Sequence, residues 1–214
     1  MQYLAGSRSA WAVNLPGHPS GEITCRSIAG YSEAVRSFIS ESGLGRVSVC
    51  GHSMGSAVAL NLAIEHPENV AGLILVDGGA KLRVSPTILR ELTERPLKAI
   101  EEIITPMSFH FVDLELGREA RMALSLSNLR VFLNDYLACD GFDIRQSLTS
   151  ISAKTLIVCG ESDRMTPPAY SQYMNAAIPR SAMHLVPGAG HMVPLEKPEV
   201  LGALVQSFLA ELSP

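Results

Sequence analysis

The sequence predicts an α/β fold, a mainly parallel sheet with helices on both faces, and three observations carry that prediction. Strand-like apolar runs alternate with helix-period segments along most of the 214 residues. The run Val70–Val76 (VAGLILV) is apolar without a break, as in a parallel strand covered on both faces. The stretch Val47–Gly55 (VSVCGHSMG) passes from a short apolar run through Gly-x-Ser-x-Gly into an apolar segment from Ser56 to Ile64, which reads as strand, tight turn and helix.

The elements follow in order. Ser9–Leu15 (SAWAVNL) reads as a first strand running into the turn cluster Pro16-Gly17-His18-Pro19-Ser20-Gly21. From about Ser27 to Ser42, Ile28, Tyr31, Val35, Phe38 and Ile39 recur on one helical face, and Gly43 and Gly45 end the helix. Arg46–Cys50 is the strand before the turn, and the helix after it runs to about Glu65, stopping at His66-Pro67. From Lys81 to about Ser152 the alternation breaks. Pro86 and Pro96 open two helical segments there, and Glu115–Ser127 and Leu129–Leu137 read as two more. This divides the chain into residues 1–80 (first part of a core), 81–152 (a helical cap) and 153–214 (the rest of the core). The alternation resumes with strand Thr155–Cys159, helix Pro168–Ala177, strand Ala182–Val186 and a last helix from about Pro198 to Leu212.

Composition narrows the function. With 17 Lys and Arg against 21 Asp and Glu the net charge is −4, and the absence of a basic run argues against a nucleic-acid partner. No apolar stretch approaches the ~18 residues of a membrane span. Cys25, Cys50, Cys139 and Cys159 show no metal-type spacing, so no metal or cofactor is expected, and free thiols fit a reducing, cytoplasmic location.

The turn at Ser53 is where chemistry is expected. A serine on a sharp strand-to-helix bend presents its hydroxyl in a strained backbone conformation. Gly51 and Gly55 are expected where a side chain would collide as strand and helix close up. The Met54 amide opens the helix and would face developing negative charge, as an oxyanion donor does. A serine needs a base. Of the six histidines, His191 follows the last strand in Pro187-Gly188-Ala189-Gly190-His191, on the same sheet edge as Ser53. The acid should come from another strand end. Asp163, in Gly160–Pro167, is favoured over Asp77 and Glu161, although Asp is also a common turn former. The order Ser53, Asp163, His191 is that of the nucleophile-elbow enzymes.

Leu15-Pro16-Gly17-His18, Gly51–Gly55, Gly160–Pro167 and Gly188–Pro198 together resemble the successive landmarks of the α/β-hydrolase superfamily. The nearest likeness is to small capped serine esterases, with pimeloyl-carrier-protein methyl esterase and enol-lactonase relatives. The resemblance implies Ser53, Asp163 and His191 as a catalytic triad acting on a small-molecule ester. Carbon–carbon bond hydrolases share these residues and are the alternative, whereas dehalogenases and epoxide hydrolases place Asp where Ser53 stands. His52, Phe132 and Tyr136 are candidate substrate contacts. Met107, Phe109, Phe111, Met122, Phe132 and Tyr136 read either as the lining of an acyl pocket or as ordinary core of the insertion. Pro19-Ser20 departs from the family's usual Gly-x-Ser after His18. The resemblance also implies strands ahead of Ser9–Leu15, with a His-Gly loop supplying a second oxyanion donor. Met1–Gly6 is too short to hold them, so the N-terminal strands are expected to be missing. The expectation is therefore a shortened, weakly active or inactive chain with an unpaired edge beside the strand that leads into Ser53.

Overall fold

The computed structural model describes residues 9–19, 21, 25–110 and 128–212. Among them, four strands form one parallel sheet in the order β1 (Val47–His52), β2 (Val70–Val76), β3 (Lys154–Gly160) and β4 (Ser181–Val186). Successive side chains of a strand point to opposite faces. Leu73 and Leu75 of β2 and Ile157 of β3 therefore enter one core, whereas Ile74, Val76, Leu156 and Val158 enter the other. This double burial is why the β2 run is apolar throughout, each leucine contributing roughly 1.5–3 kcal/mol.

The first core is closed by α1 (Ile28–Glu41) and α2 (Met54–Glu65), together with the helix Pro168–Ala177. Ser27 caps α1, its hydroxyl accepting the Gly30 amide at 3.2 Å. Nearly every residue of α2 from Ser56 to Ala63 is buried, because the helix packs on the sheet and beneath α1. The second core is closed by the C-terminal helix Pro198–Glu211, through Val205 and Phe208.

Between β2 and β3 the chain makes α3 (Pro86–Glu94), α4 (Pro96–Ala99), a π-helical turn (Ile100–Ile104), α5 (Thr105–Ser108) and α6 (Leu129–Asp140). In the π turn the Thr105 amide reaches back five residues to the Ile100 carbonyl. Pro106, directly beyond, has no amide to continue the ladder, which gives the wide turn a local cause. Leu92, Ala99, Ile100 and Ile104 form a separate apolar cluster with Phe132, Leu133 and Tyr136. Asp135 pins α6 to the core, taking the Tyr31 hydroxyl at 2.5 Å and His18 Nε2 at 2.9 Å. In order after α6 come α7 (Pro168–Ala177), α8 (Val193–Glu196) and α9 (Pro198–Glu211). No described helix is long and apolar enough to cross a membrane.

The expected strand at Ser9–Leu15 does not form. The segment makes no ladder, and all of it except Leu15 is exposed. A strand needs a partner for its backbone groups. Here the apolar side chains find other contacts: the Trp11 ring meets Phe38 edge-on at 6.0 Å, and Leu15 leans on the first core. β1 is consequently an edge strand among the described residues, with Ser48 and Cys50 exposed. It also runs past Cys50 to His52, because the ladder with β2 continues to Val76. The helix expected over Glu115–Ser127, with Phe111 and Met122, lies outside the described residues.

Candidate active site

All four strands end on one edge of the sheet, and the loops there assemble the site. Ser53 follows β1 with φ 53° and ψ −120°, a region that non-glycine residues rarely occupy. The turn is held on both sides: the Ser53 amide donates to the Val76 carbonyl at 2.9 Å, and the Ser56 hydroxyl donates to the Ser53 carbonyl at 2.7 Å. A Cβ on Gly51 would stand 2.0 Å from the Gly55 carbonyl oxygen, so only glycine allows the helix this close to the strand. Gly55 is different from the sequence expectation, since a Cβ there would meet nothing within 4 Å. Met54 is the first residue of α2, so its amide has no acceptor within the helix and sits at the positive end of the helix dipole.

His191 is buried, at 3 % exposure. Its Nε2 lies 2.8 Å from Ser53 Oγ and its Nδ1 lies 2.9 Å from Asp163 Oδ2. A carboxylate only accepts, so Nδ1 carries the proton and Nε2 presents a lone pair to Ser53. Asp163 is fixed in turn. Its Oδ1 accepts the Met165 and Thr166 amides at 2.8 and 2.9 Å, and its Oδ2 accepts the Thr166 hydroxyl at 2.8 Å. Burial works against its ionised form, but the bonds from His191 and Thr166 and the His191 charge outweigh it and hold the carboxyl below its usual range. Thr166 was not anticipated from sequence, although an acceptor three residues before a threonine is the signature of such a turn.

Asp77 is fully buried, yet it does not touch the His191 ring nitrogens. Its Oδ1 accepts the Gly160 amide at 2.8 Å and its Oδ2 the Val193 amide at 3.2 Å, so it splices the loop of Asp163 to that of His191. Burial, reinforced by the Asp163 and Glu196 charges and partly offset by those two amides, pushes it up to about 8. Glu161 is exposed beside an open concavity of about 460 Å3, lined also by His110, Ser162, Asp163 and Arg164.

Further side chains tie the helical insertion to this rim. Glu196 accepts the Gly190 and His110 amides, both at 2.7 Å. Arg164 donates to the Pro106 and Phe109 carbonyls, and the Ser108 hydroxyl lies 3.1 Å from Met165 Sδ. Phe132 and Tyr136 are half-buried with rings 5.1 Å apart, in the cluster that Met165 joins. His52 lies half-buried with Nε2 2.7 Å from the His191 carbonyl oxygen.

Among the described residues, one group has metal-ligand atoms within 4.8 Å of one another: Asp77, Cys159 and Asp163. It is poorly matched to a cation. Every carboxylate oxygen already accepts a hydrogen bond, and burial pushes the Cys159 thiol up to about 12, far from the thiolate a metal requires.

The profile of the alpha/beta hydrolase family matches residues 1–204. Over 205 residues the chain is 26% identical to the 2-hydroxy-6-oxo-6-phenylhexa-2,4-dienoate hydrolase of Burkholderia cepacia, covering 89% of this chain and 69% of that one. A thermophilic esterase of known structure superposes with a TM-score of 0.85 at 33% identity, over 93% of this chain and 79% of the esterase. The enol-lactonase of Burkholderia xenovorans LB400 superposes at 0.80 with 19% identity, over 92% and 78%, a likeness of fold.

Proposed function

We propose, from the premise that the chain belongs to the alpha/beta hydrolase family, that it is a serine hydrolase of small carboxylic esters. One observation carries the reading: a single imidazole joins Ser53 Oγ at 2.8 Å to Asp163 Oδ2 at 2.9 Å. His191 Nε2 takes the Ser53 proton as Oγ attacks the ester carbonyl. Negative charge gathers on the carbonyl oxygen, which the Met54 amide meets. The imidazolium then protonates the departing alkoxide, leaving an acyl group on Ser53. A water molecule repeats the attack, its proton passing to His191 and from there to Ser53 Oγ as the carbonyl–Oγ bond breaks, which releases the acid and free Ser53. Asp163 stays ionised throughout and stabilises the imidazolium.

Residues 81–152 are read as a cap over this edge, holding a small-molecule substrate against Ser53. Their attachment to the loops of Asp163 and His191 supports that reading. Phe132 and Tyr136, clustered with Met165, would face the apolar part of the substrate.

A second reading keeps the same residues and changes the bond cleaved, from carbon–oxygen to carbon–carbon. The similarity to the Burkholderia cepacia dienoate hydrolase favours it, and that to the thermophilic esterase favours the first. The test is to assay chromogenic short-chain esters and the dienoate with wild type and Ser53→Ala, and to label both with a fluorophosphonate. Ester turnover and labelling, both lost in Ser53→Ala, are the expected result. Wild-type rates in Ser53→Ala would sink the assignment, and turnover of the dienoate alone would transfer it to the second reading.

A further inference from the structure

Two neighbouring residues grip the same histidine. Ser53 Oγ meets its ring at Nε2, and His52 Nε2 meets its main-chain oxygen at 2.7 Å. The two imidazoles lie 5.1 Å apart, tilted by 48°. A carbonyl only accepts, so His52 carries its proton on Nε2 and donates it.

The loop bearing His191 lies between the end of β4 and the start of α8, with no ladder of its own. It is held from outside: Glu196 takes the Gly190 amide before His191, and Asp77 takes the Val193 amide after it. At His191 itself the holder is His52, whose Nε2 also stands 3.6 Å from Asp77 Oδ2. His52 ends β1 in register with Val76, so its backbone moves with the turn that carries Ser53.

We propose that His52 is a positioning residue, whose bond to the His191 carbonyl fixes the separation of Ser53 Oγ and His191 Nε2. The inference rests on the hydrolase reading. It departs from the expectation that His52 touches substrate, since its Nε2 is committed to the His191 carbonyl. Burial first, and then the neighbouring His191 charge, lower the His52 ring to about 4, so the neutral donor persists through the ordinary working range. Misplacing a reacting group by 1 Å can cost about 10²-fold in rate, which sets the scale of the expected effect.

The experiment compares wild type, His52→Leu, His52→Gln and Ser53→Ala in kcat and KM on a short-chain chromogenic ester, with thermal melts alongside. Glutamine can bring an amide N–H to the place of Nε2–H, whereas leucine cannot donate. His52→Leu is expected to lose about 10- to 100-fold in kcat with KM within about twofold, and His52→Gln to lose less than about threefold. If His52→Leu does not fold, His52→Asn, one methylene too short, replaces it in the comparison. Equal losses in the glutamine and non-donating variants overturn the proposal, as does a raised KM with unchanged kcat. An inactive Ser53→Ala beside an unaffected His52→Leu overturns this inference alone. Full turnover in Ser53→Ala overturns the hydrolase reading and the inference with it.

Discussion

Gly160 and Gly190 touch through their main chains: a Cβ on Gly160 would stand 2.0 Å from the Gly190 carbonyl oxygen. Gly160 ends β3 and leads into the loop of Asp163, and Gly190 directly precedes His191. The loops that carry Asp163 and His191 are thus brought together backbone against backbone. Four predictions follow from the way this edge is built.

Asp163→Asn is expected to cut kcat by about 10⁴, the scale at which a histidine in the wrong tautomer fails. Asp77→Asn should cost far less turnover and more stability. Its amide nitrogen would face a backbone N–H where Asp77 now accepts the Val193 or Gly160 amide. A buried unsatisfied donor costs about 1–3 kcal/mol. Steady-state rates and denaturant unfolding of both variants check the ranking, and the reverse order would make Asp77 the acid.

The pH dependence of stability should carry the mark of Asp77. Its folded value, near 8, lies above the roughly 3.9 of an unfolded aspartate. Between those values the folded state holds a proton that the unfolded state has lost, so stability falls as pH rises. His52, lowered to about 4, acts only below its unfolded value of roughly 6.5, and with the opposite sign. Melting temperatures from pH 6.5 to 8 should therefore decline more steeply in wild type than in Asp77→Asn. Parallel slopes would contradict this assignment.

The two glycines around Ser53 should behave oppositely. Gly51→Ala drives a Cβ into the Gly55 carbonyl and is expected to leave little soluble protein. Gly55→Ala meets open space within the first turn of α2 and gains helix propensity of about 1 kcal/mol. Comparing soluble yield and melting temperature decides it, and equal damage by both would show that the turn is crowded on each side.

Glu196→Ala releases the Gly190 and His110 amides together. Bonds to a charged acceptor are worth about 1.5–3 kcal/mol each, so stability should fall by roughly 2–4 kcal/mol if part of the loss is recovered by water. Urea unfolding measures it, and a change under about 0.5 kcal/mol would mean that these bonds are replaced at no cost.

The sequence made the sheet legible where apolar runs are continuous, as in VAGLILV, and made the turn at Ser53 legible because Gly51 and the α2 pattern bracket it. The geometry that joins Ser53, Asp163 and His191 followed from parallel strands ending on one edge. Ser9–Leu15 misled because a short apolar run fits a strand but says nothing of whether a partner strand lies beside it. Asp77 looked like a rival acid from its place at a strand end; only three dimensions reveal that it faces two amides instead. Glu196 and Thr166 act through partners distant in sequence or through a hydroxyl's direction, neither of which periodicity encodes.

Where it meets the loops of Asp163 and His191, the helical insertion is hydrogen-bonded largely through atoms that its residue types do not determine. Arg164 takes the carbonyls of Pro106 and Phe109, and Glu196 takes the amide of His110, leaving Ser108 with Met165 as the side-chain exception. Nearly any amino acid offers the same carbonyl, and any but proline the same amide. Side chains at Phe109 and His110 can therefore be exchanged, proline at His110 excepted, without freeing the bonds that hold the insertion to the loops of Asp163 and His191.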